Sequence, residues 1–248
     1  MFRRRNEEGK TEFVTKKILK YKGLSVILRM GKFEKLRAMY KNSAKYRNKI
    51  FFACAFRYQC ISDNNYFLSI PPPVAKMMDF ECFGSPFNCI KPCFTPFPEV
   101  DVYFGSKGNF FTDEIPKEYT LVSFNPPWDE KLMNMAINRL IFQIKTRDTP
   151  LTALCVIPVW DSETKNKYGF NRDSDDLSKD SETYRLFQAS GLIQRSMVVP
   201  KDHLYFYDYI SKVYTGSINI HIIVLSKGRP GIEINDVYQT WRIAQNLS

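Results

Sequence analysis

Residues 121–128 read LVSFNPPW, an apolar run of strand length that ends on Asn-Pro-Pro-Trp. Proline fixes φ and has no backbone N–H, so a paired strand is expected to stop at Phe124. A helix is predicted from Asp129 onward, because the apolar residues that follow it are spaced to cover one helix side. A strand, a rigid loop and a packed helix in this order predict an α/β sheet with the loop at a strand's carboxyl end.

The loop carries the groups that methylation of an exocyclic amino group needs. Such an amino group is a poor nucleophile, because its lone pair is delocalised into the base. Acceptors for both hydrogens, and a nitrogen held in line with an electrophilic methyl group, activate it. The Asn125 side-chain oxygen and the Pro126 carbonyl are candidate acceptors, Pro127 stiffens the loop, and Trp128 can stack on the base. A purely structural interpretation, in which the loop only caps the helix at Asp129, stays open.

Two strand-to-loop junctions upstream predict a separate nucleoside site. The first is a strand at Asp79–Phe83 that leaves through Gly84-Ser85-Pro86. The second is a short strand at Asp101–Phe104 that leaves through a glycine-rich turn. Cofactors of open α/β sheets lie over the carboxyl ends of strands, where an acidic residue commonly binds ribose hydroxyls. Asp101 is either such an acceptor or an exposed strand-end carboxylate.

The pattern after the loop predicts the rest of the sheet. The unbroken apolar run Leu151–Val159 is typical of a strand covered on both faces. Ile193–Val199 and Ile218–Leu225 predict an antiparallel pair, since no long helix separates them.

Polar residues 161–181 predict a mobile loop. Ser181 is expected to cap a helix that ends near Ser190. At most a short helix is expected in residues 231–248.

Positive charge is concentrated near the N-terminus. The chain carries a formal charge of +10, yet residues 1–50 hold 16 Lys and Arg against four Glu. Residues 32–61 place apolar side chains at helical spacing with basic ones between them. We expect residues 1–70 to form a small basic helical module that binds RNA or another polyanion, or else a solvated helix face. A methyltransferase core is expected at 71–230, followed by a C-terminal tail at 231–248.

Other classes of site find little support. The six cysteines form no Cys-x-x-Cys pair, and His203 and His221 lie far from them in sequence, so we expect reduced thiols and no metal site. No run reaches the roughly 18 apolar residues of a membrane span, and the start MFRRRNEEGK is not a secretory signal. We therefore expect a soluble intracellular protein with no membrane partner.

Several motifs in order between Pro71 and Leu225 resemble the catalytic domain of the phosphorylated CTD interacting factor family. They are ECFGSPFNC at 81–89, DVYFGSKG at 101–108, FNPPW at 124–128, EKLM at 130–133 and IPVW at 157–160. The resemblance implies a Rossmann-like α/β core, S-adenosyl-L-methionine as cofactor, and cap-specific adenosine N6-methylation. By similarity, the catalytic loop is Asn125, Pro126, Pro127 and Trp128. The positions that match the cofactor side are Glu81, Phe83, Ser85, Pro86, Asn88, Asp101, Phe104 and Gly105.

The implied substrate is a capped RNA whose first transcribed nucleotide is 2′-O-methyladenosine. The family's loop usually ends in Phe, whereas Trp128 resembles the DPPW loop of other RNA adenosine methyltransferases. Internal RNA adenosine or DNA adenine is therefore one alternative acceptor, and a cap or RNA binder without catalysis is another. Long family members carry a WW domain for recruitment to RNA polymerase II, and we expect no WW-type module here. The expected location is nuclear or, for a viral protein, cytoplasmic; oligomeric state is left open.

Overall fold

The computed structural model describes residues 2–5, 11–40, 46–61, 68–159, 182–209 and 212–246. The N-terminal part begins with two antiparallel hairpins, β1 (Phe2–Arg5) with β2 (Thr11–Val14) and β3 (Lys16–Tyr21) with β4 (Leu24–Arg29). Two helices follow, α1 (Met30–Met39) and α2 (Arg47–Ile61).

The remaining elements form the core. Up to the loop they are β5 (Leu68–Ser69), α3 (Pro72–Lys76), β6 (Phe80–Glu81), α4 (Pro98–Asp101), a 3₁₀ turn (Val102–Phe104) and β7 (Leu121–Phe124). After the loop come α5 (Glu130–Thr146), β8 (Thr152–Pro158), α6 (Glu182–Ser190), β9 (Ile193–Val199), β10 (Phe206–Asp208), β11 (Val213–Thr215), β12 (Ile220–Ser226) and α7 (Ile234–Asn246).

The central sheet is mixed, with the order β6-β7-β8-β12-β9. β6, β7 and β8 are parallel, whereas β12 runs antiparallel to both β8 and β9. Every residue of β8 and β12 is buried, as expected for strands covered on both faces. The fold is therefore mixed α/β, and the predicted antiparallel C-terminal pair is confirmed.

Helices cover both faces of this sheet. On one face, α5 and α6 bury Met133, Leu140 and Phe187 against the strands. On the other, α3 and α7 bury Val74 and Trp241. A smaller sheet, in the order β11-β10-β5, lies on the α3 and α7 side, where Phe206 joins the same apolar cluster.

Three expectations about local structure are wrong. Residues 16–29, part of the module that we expect to be helical, form a hairpin, because Lys22 and Gly23 take positive φ values of 46° and 80° that suit a two-residue turn. The N-terminal part is thus a mixed unit of hairpins and helices. Asp101–Phe104 is helical and not a strand, since Pro98 begins a turn in which the Asp101 N–H donates to the Phe97 carbonyl at 2.8 Å. The C-terminal helix is longer than expected because the buried Trp241 anchors it.

The predicted loop at 161–181 and its capping Ser181 lie outside the described residues. Within the described ranges, no helix is both long and apolar enough to cross a lipid bilayer. The same ranges contain no cluster of three or more His, Cys, Asp or Glu placed to hold a metal ion.

Candidate active site

The Asn-Pro-Pro-Trp loop leaves β7 between its two parallel neighbours, β6 and β8. α5 begins immediately afterwards, capped by Asp129, whose Oδ1 accepts the Leu132 N–H at 2.8 Å. The Asp129 N–H in turn donates to the Pro127 carbonyl at 2.9 Å. Asp129 therefore caps the helix, and this role does not account for Asn125.

The side-chain oxygen of Asn125 is buried and has no hydrogen-bond partner among the described residues. A buried acceptor left without a donor costs on the order of 1–3 kcal/mol, so native proteins rarely retain one without a reason. The other such atom in the described ranges is Nε2 of Gln143, whose Oε1 accepts the Ile115 N–H at 2.8 Å. The Asn125 oxygen thus follows the end of a parallel strand, where α/β sheets commonly bind ligands, and its capacity to accept a hydrogen bond is unused among the described residues.

Trp128 is half-buried and packs against the smaller sheet. Its ring lies 5.2 Å from that of Phe206, with 72° between the two planes. Phe206 in turn lies 5.4 Å from the ring of Trp241. Because Trp128 also touches the apolar clusters on both faces of the central sheet, its position is fixed from two sides.

Glu81, at the end of β6, is buried and shapes the first upstream junction. Its Oε1 accepts the N–H groups of Ile90 and Lys91 at 2.9 and 3.0 Å. Burial raises the pKa of this carboxyl, whereas the two N–H groups and Lys35 oppose the rise. The carboxylate thus folds the loop after β6 back onto the strand.

Ser85 and Asn88 close a tight turn within that loop. The Ser85 N–H and hydroxyl donate to Asn88 Oδ1 at 2.8 and 2.9 Å, and the hydroxyl oxygen accepts the Phe87 N–H at 3.2 Å. Pro86 is buried inside the turn. Phe83 reaches toward β7, where its ring lies 5.5 Å from that of Phe124.

The two upstream junctions meet at one edge of the central sheet. Cys93 forms single parallel bridges with Glu81 on one side and Ser106 on the other. Two strand spacings separate Glu81 from Ser106, about 10 Å. Gly105, which precedes Ser106, has a φ of 95°, a value that favours glycine. The loop after β6 and the turn at Gly105 therefore lie side by side, with β7 and its loop next to β6.

Asp101 adjoins this edge through its backbone carbonyl, which accepts the Ser106 N–H at 3.1 Å. It is fully buried, and its carboxylate accepts the Tyr58 hydroxyl at 2.7 Å and the Cys54 thiol at 3.7 Å. Burial raises its pKa to about 6, although the hydrogen bond from Tyr58 opposes this. The interpretation of Asp101 as an exposed strand-end carboxylate is wrong, because the residue is buried and lies in a helical turn. Its role as a ribose acceptor stays a prediction. Phe104 likewise faces the N-terminal unit, where it joins the cluster around Phe51.

Lys35 of α1 is a site-supporting residue that the sequence did not reveal. Its Nζ donates to the carbonyls of Phe87 and Cys89 at 3.0 and 2.8 Å, and lies 5.5 Å from the ring centre of Tyr209. Burial lowers the pKa of Lys35, while Cys89 and Glu81 nearby oppose the drop. No local pattern marks this lysine, since its partners lie more than 50 residues away.

Residues 33–186 match the family model described as "Phosphorylated CTD interacting factor 1 WW domain". The match covers more than half of the chain and includes the 125–128 loop and both upstream junctions. The chain belongs to this family. The phosphorylated CTD interacting factor 1 family fits a context of mRNA processing, which agrees with the resemblance found in the sequence.

The same match corrects one expectation. We expected no WW-type module, and the matching family model is described as a WW domain. That expectation is therefore wrong. Absence of such a module cannot be used to argue how this member of the phosphorylated CTD interacting factor 1 family is recruited.

Proposed function

We propose that this protein transfers a methyl group from S-adenosyl-L-methionine to N6 of the cap-adjacent 2′-O-methyladenosine of mRNA. The observation that carries the proposal is the buried Asn125 oxygen, which has no partner in the described part of the chain. It lies at the carboxyl end of a parallel strand, next to the edge where both upstream junctions meet. Family membership supports a capped RNA as the substrate and a nuclear location.

Each loop residue has a role in this reaction. Asn125 Oδ1 accepts one hydrogen of the adenine amino group, and the Pro126 carbonyl accepts the other. Pro127 and the capped start of α5 keep the loop rigid, so both acceptors are already in place before the base arrives. Trp128, held by Phe206, supplies a ring for the base to stack on.

The chain also offers a place for the cofactor. Phe83, Ser85, Pro86 and Asn88 form a closed turn at the sheet edge, beside the loop that carries Asn125. Gly105 presents its backbone at the same edge, and a side chain added there would meet open space. When bound, S-adenosyl-L-methionine supplies an electrophilic methyl group on a positively charged sulfur. Glu81 contributes by shaping the turn, since its Oε1 is bonded to backbone N–H groups.

Mass spectrometry of RNA incubated with the protein and S-adenosyl-L-methionine tests the proposal. The expected product is N6-methylated adenosine on capped RNA that begins with 2′-O-methyladenosine, and the Asn125→Ala variant should form about 10²–10³-fold less. An Asn125→Ala variant with full activity would sink the proposed mechanism.

The same reaction on other substrates separates the alternatives. Equal methylation of uncapped RNA or DNA would assign the acceptor to internal adenosine or adenine. That result would agree with the resemblance of Trp128 to the DPPW loop of other RNA adenosine methyltransferases. Absence of calorimetric binding of S-adenosyl-L-methionine, with and without capped RNA, would instead favour a binding protein without catalysis.

A further inference from the structure

Three tyrosines share one face of the smaller sheet. Side chains alternate along β10, so Phe206 points to one face and Tyr207 to the other. Tyr214 on β11 lies directly opposite Tyr207, and cross-strand partners share a face. The ring of Tyr207 is 5.1 Å from those of both Tyr209 and Tyr214. We call Tyr207, Tyr209 and Tyr214 the tyrosine face.

The tyrosine face is held in place by a hydrogen bond and is partly exposed to solvent. Tyr209 is its anchor, because its hydroxyl donates to the Ile70 carbonyl at 2.9 Å. Tyr207 and Tyr214 are only half-buried, and the adjoining Val213 is 48% exposed. The ring planes of Tyr207 and Tyr214 are 66° apart, and those of Tyr207 and Tyr209 are 87° apart. The face is therefore an anchored group of tilted, accessible rings, and a nucleobase can stack on one ring and meet the edge of its neighbour.

The tyrosine face lies on the side of β10 opposite to Phe206, the residue that packs against Trp128 of the loop. Phe206, the residue before Tyr207, contacts Trp128 across the other side of β10. A nucleotide on the tyrosine face would therefore be separated from Trp128 by a single layer of sheet.

Positive charge from α1 borders the tyrosine face. Lys35 Nζ lies 5.5 Å from the Tyr209 ring centre. Lys32, one turn earlier, lies 5.7 Å from the ring of Phe87 and interacts electrostatically with Arg29 and Asp208. Burial and the neighbouring Arg29 lower the pKa of Lys32 to about 7, whereas Asp208 opposes the drop. A bound phosphate would favour the charged lysine.

We propose that the tyrosine face binds single-stranded RNA next to the nucleotide that is methylated. A base stacks on the ring of Tyr207 or Tyr214 and meets the edge of the other, and a backbone phosphate lies at Lys32. Interleaved aromatic rings and basic side chains fit this polyanion, and a net charge of +12 in residues 1–50 attracts it. The inference rests on the proposed function for the identity of the RNA and for the methylated nucleotide beside it.

Fluorescence anisotropy with a labelled, uncapped 10-nucleotide RNA, without cofactor, tests the inference. Tyr207→Ala and Tyr214→Ala should each weaken binding about tenfold, whereas Tyr207→Phe should bind like the wild type, because stacking needs the ring and not the hydroxyl. Tyr103→Ala, at a partly exposed tyrosine of the 3₁₀ turn, is the matched control and should change nothing. Thermal melts identify any variant that fails to fold.

Lys32→Gln provides a second measurement that leaves the sheet intact. It should lower the slope of log affinity against log salt concentration by about one. Wild-type affinity in both alanine variants, with an unchanged slope in Lys32→Gln, would overturn the inference. Methylation by Asn125→Ala is measured separately, so failure of the tyrosine face and failure of the catalytic proposal give different results.

Discussion

Lys35 Nζ donates a hydrogen bond to the carbonyl of Cys89 at 2.8 Å, across 54 residues of sequence. The same amine donates a second hydrogen bond to the Phe87 carbonyl at 3.0 Å. We call this pair of hydrogen bonds the Lys35 clamp. Together they join α1 to the turn that we propose for the cofactor. The N-terminal unit is thus fastened to the site and not only to the outside of the core.

Lys35→Met should loosen this clamp. It leaves two carbonyls without their charged donor, so we expect the free energy of unfolding to fall by about 1–3 kcal/mol. Affinity for S-adenosyl-L-methionine should fall as well, because the turn at Ser85–Asn88 is then held less firmly. Urea denaturation and calorimetry measure the two effects. Lys20→Met, at an exposed hairpin lysine, is the control; equal behaviour of the two variants would contradict the clamp.

Asn125→Ala should leave stability unchanged or raise it by up to about 1 kcal/mol, even as activity is lost. The reason is that the buried oxygen has no donor among the described residues, so its removal ends an unfavourable burial. Urea denaturation checks this. Destabilisation by more than about 1 kcal/mol would mean that Asn125 already makes a structural hydrogen bond.

Asp101 should make stability depend on pH. Its pKa rises from 3.8 in the unfolded chain to about 6 in the fold, so the folded state binds more protons between these values. The contribution of Asp101 to the free energy of unfolding is therefore complete below about pH 4, and it is lost as the pH rises through 6. Asp101→Asn keeps an acceptor for Tyr58 but does not titrate. Its stability relative to the wild type should rise by on the order of 2 kcal/mol between pH 4 and 7.5.

Urea unfolding of wild type and Asp101→Asn at pH 4, 6 and 7.5 measures this difference. Asp148→Asn, at an exposed carboxylate, is the control and should track the wild type. Parallel curves for wild type and Asp101→Asn would contradict the raised pKa.

Gly84→Ala should destabilise the fold by about 1–3 kcal/mol. A Cβ at Gly84 would lie 2.8 Å from the Cβ of Cys93, in the segment that bridges β6 to Ser106. Gly228→Ala is the control, since an added Cβ there meets open space. Melting temperatures of the two variants measure the effect. Equal shifts for Gly84→Ala and Gly228→Ala would show that Gly84 and Cys93 can move apart without loss of stability.

The sequence predicted the elements whose signals are local. The apolar run at 121–124, the proline stop and the capping Asp129 determine the strand, the loop and the start of α5. Ile193–Val199 was predicted with the boundaries that the structure has. The strand predicted at Asp101–Phe104 from its β-forming residues is wrong. The helical turn that begins at Pro98 continues through these residues.

By itself, the sequence determined which residues carry the chemistry of the loop, because side-chain type and proline geometry are properties of the chain. Tertiary structure alone decided their surroundings. It buried the Asn125 oxygen without a partner in the described part of the chain, set Trp128 on Phe206, and paired the Asp101 carboxylate with the Tyr58 hydroxyl. Such contacts join residues that are tens of positions apart and depend on how helices and strands pack. Local propensity and periodicity carry no information about that packing.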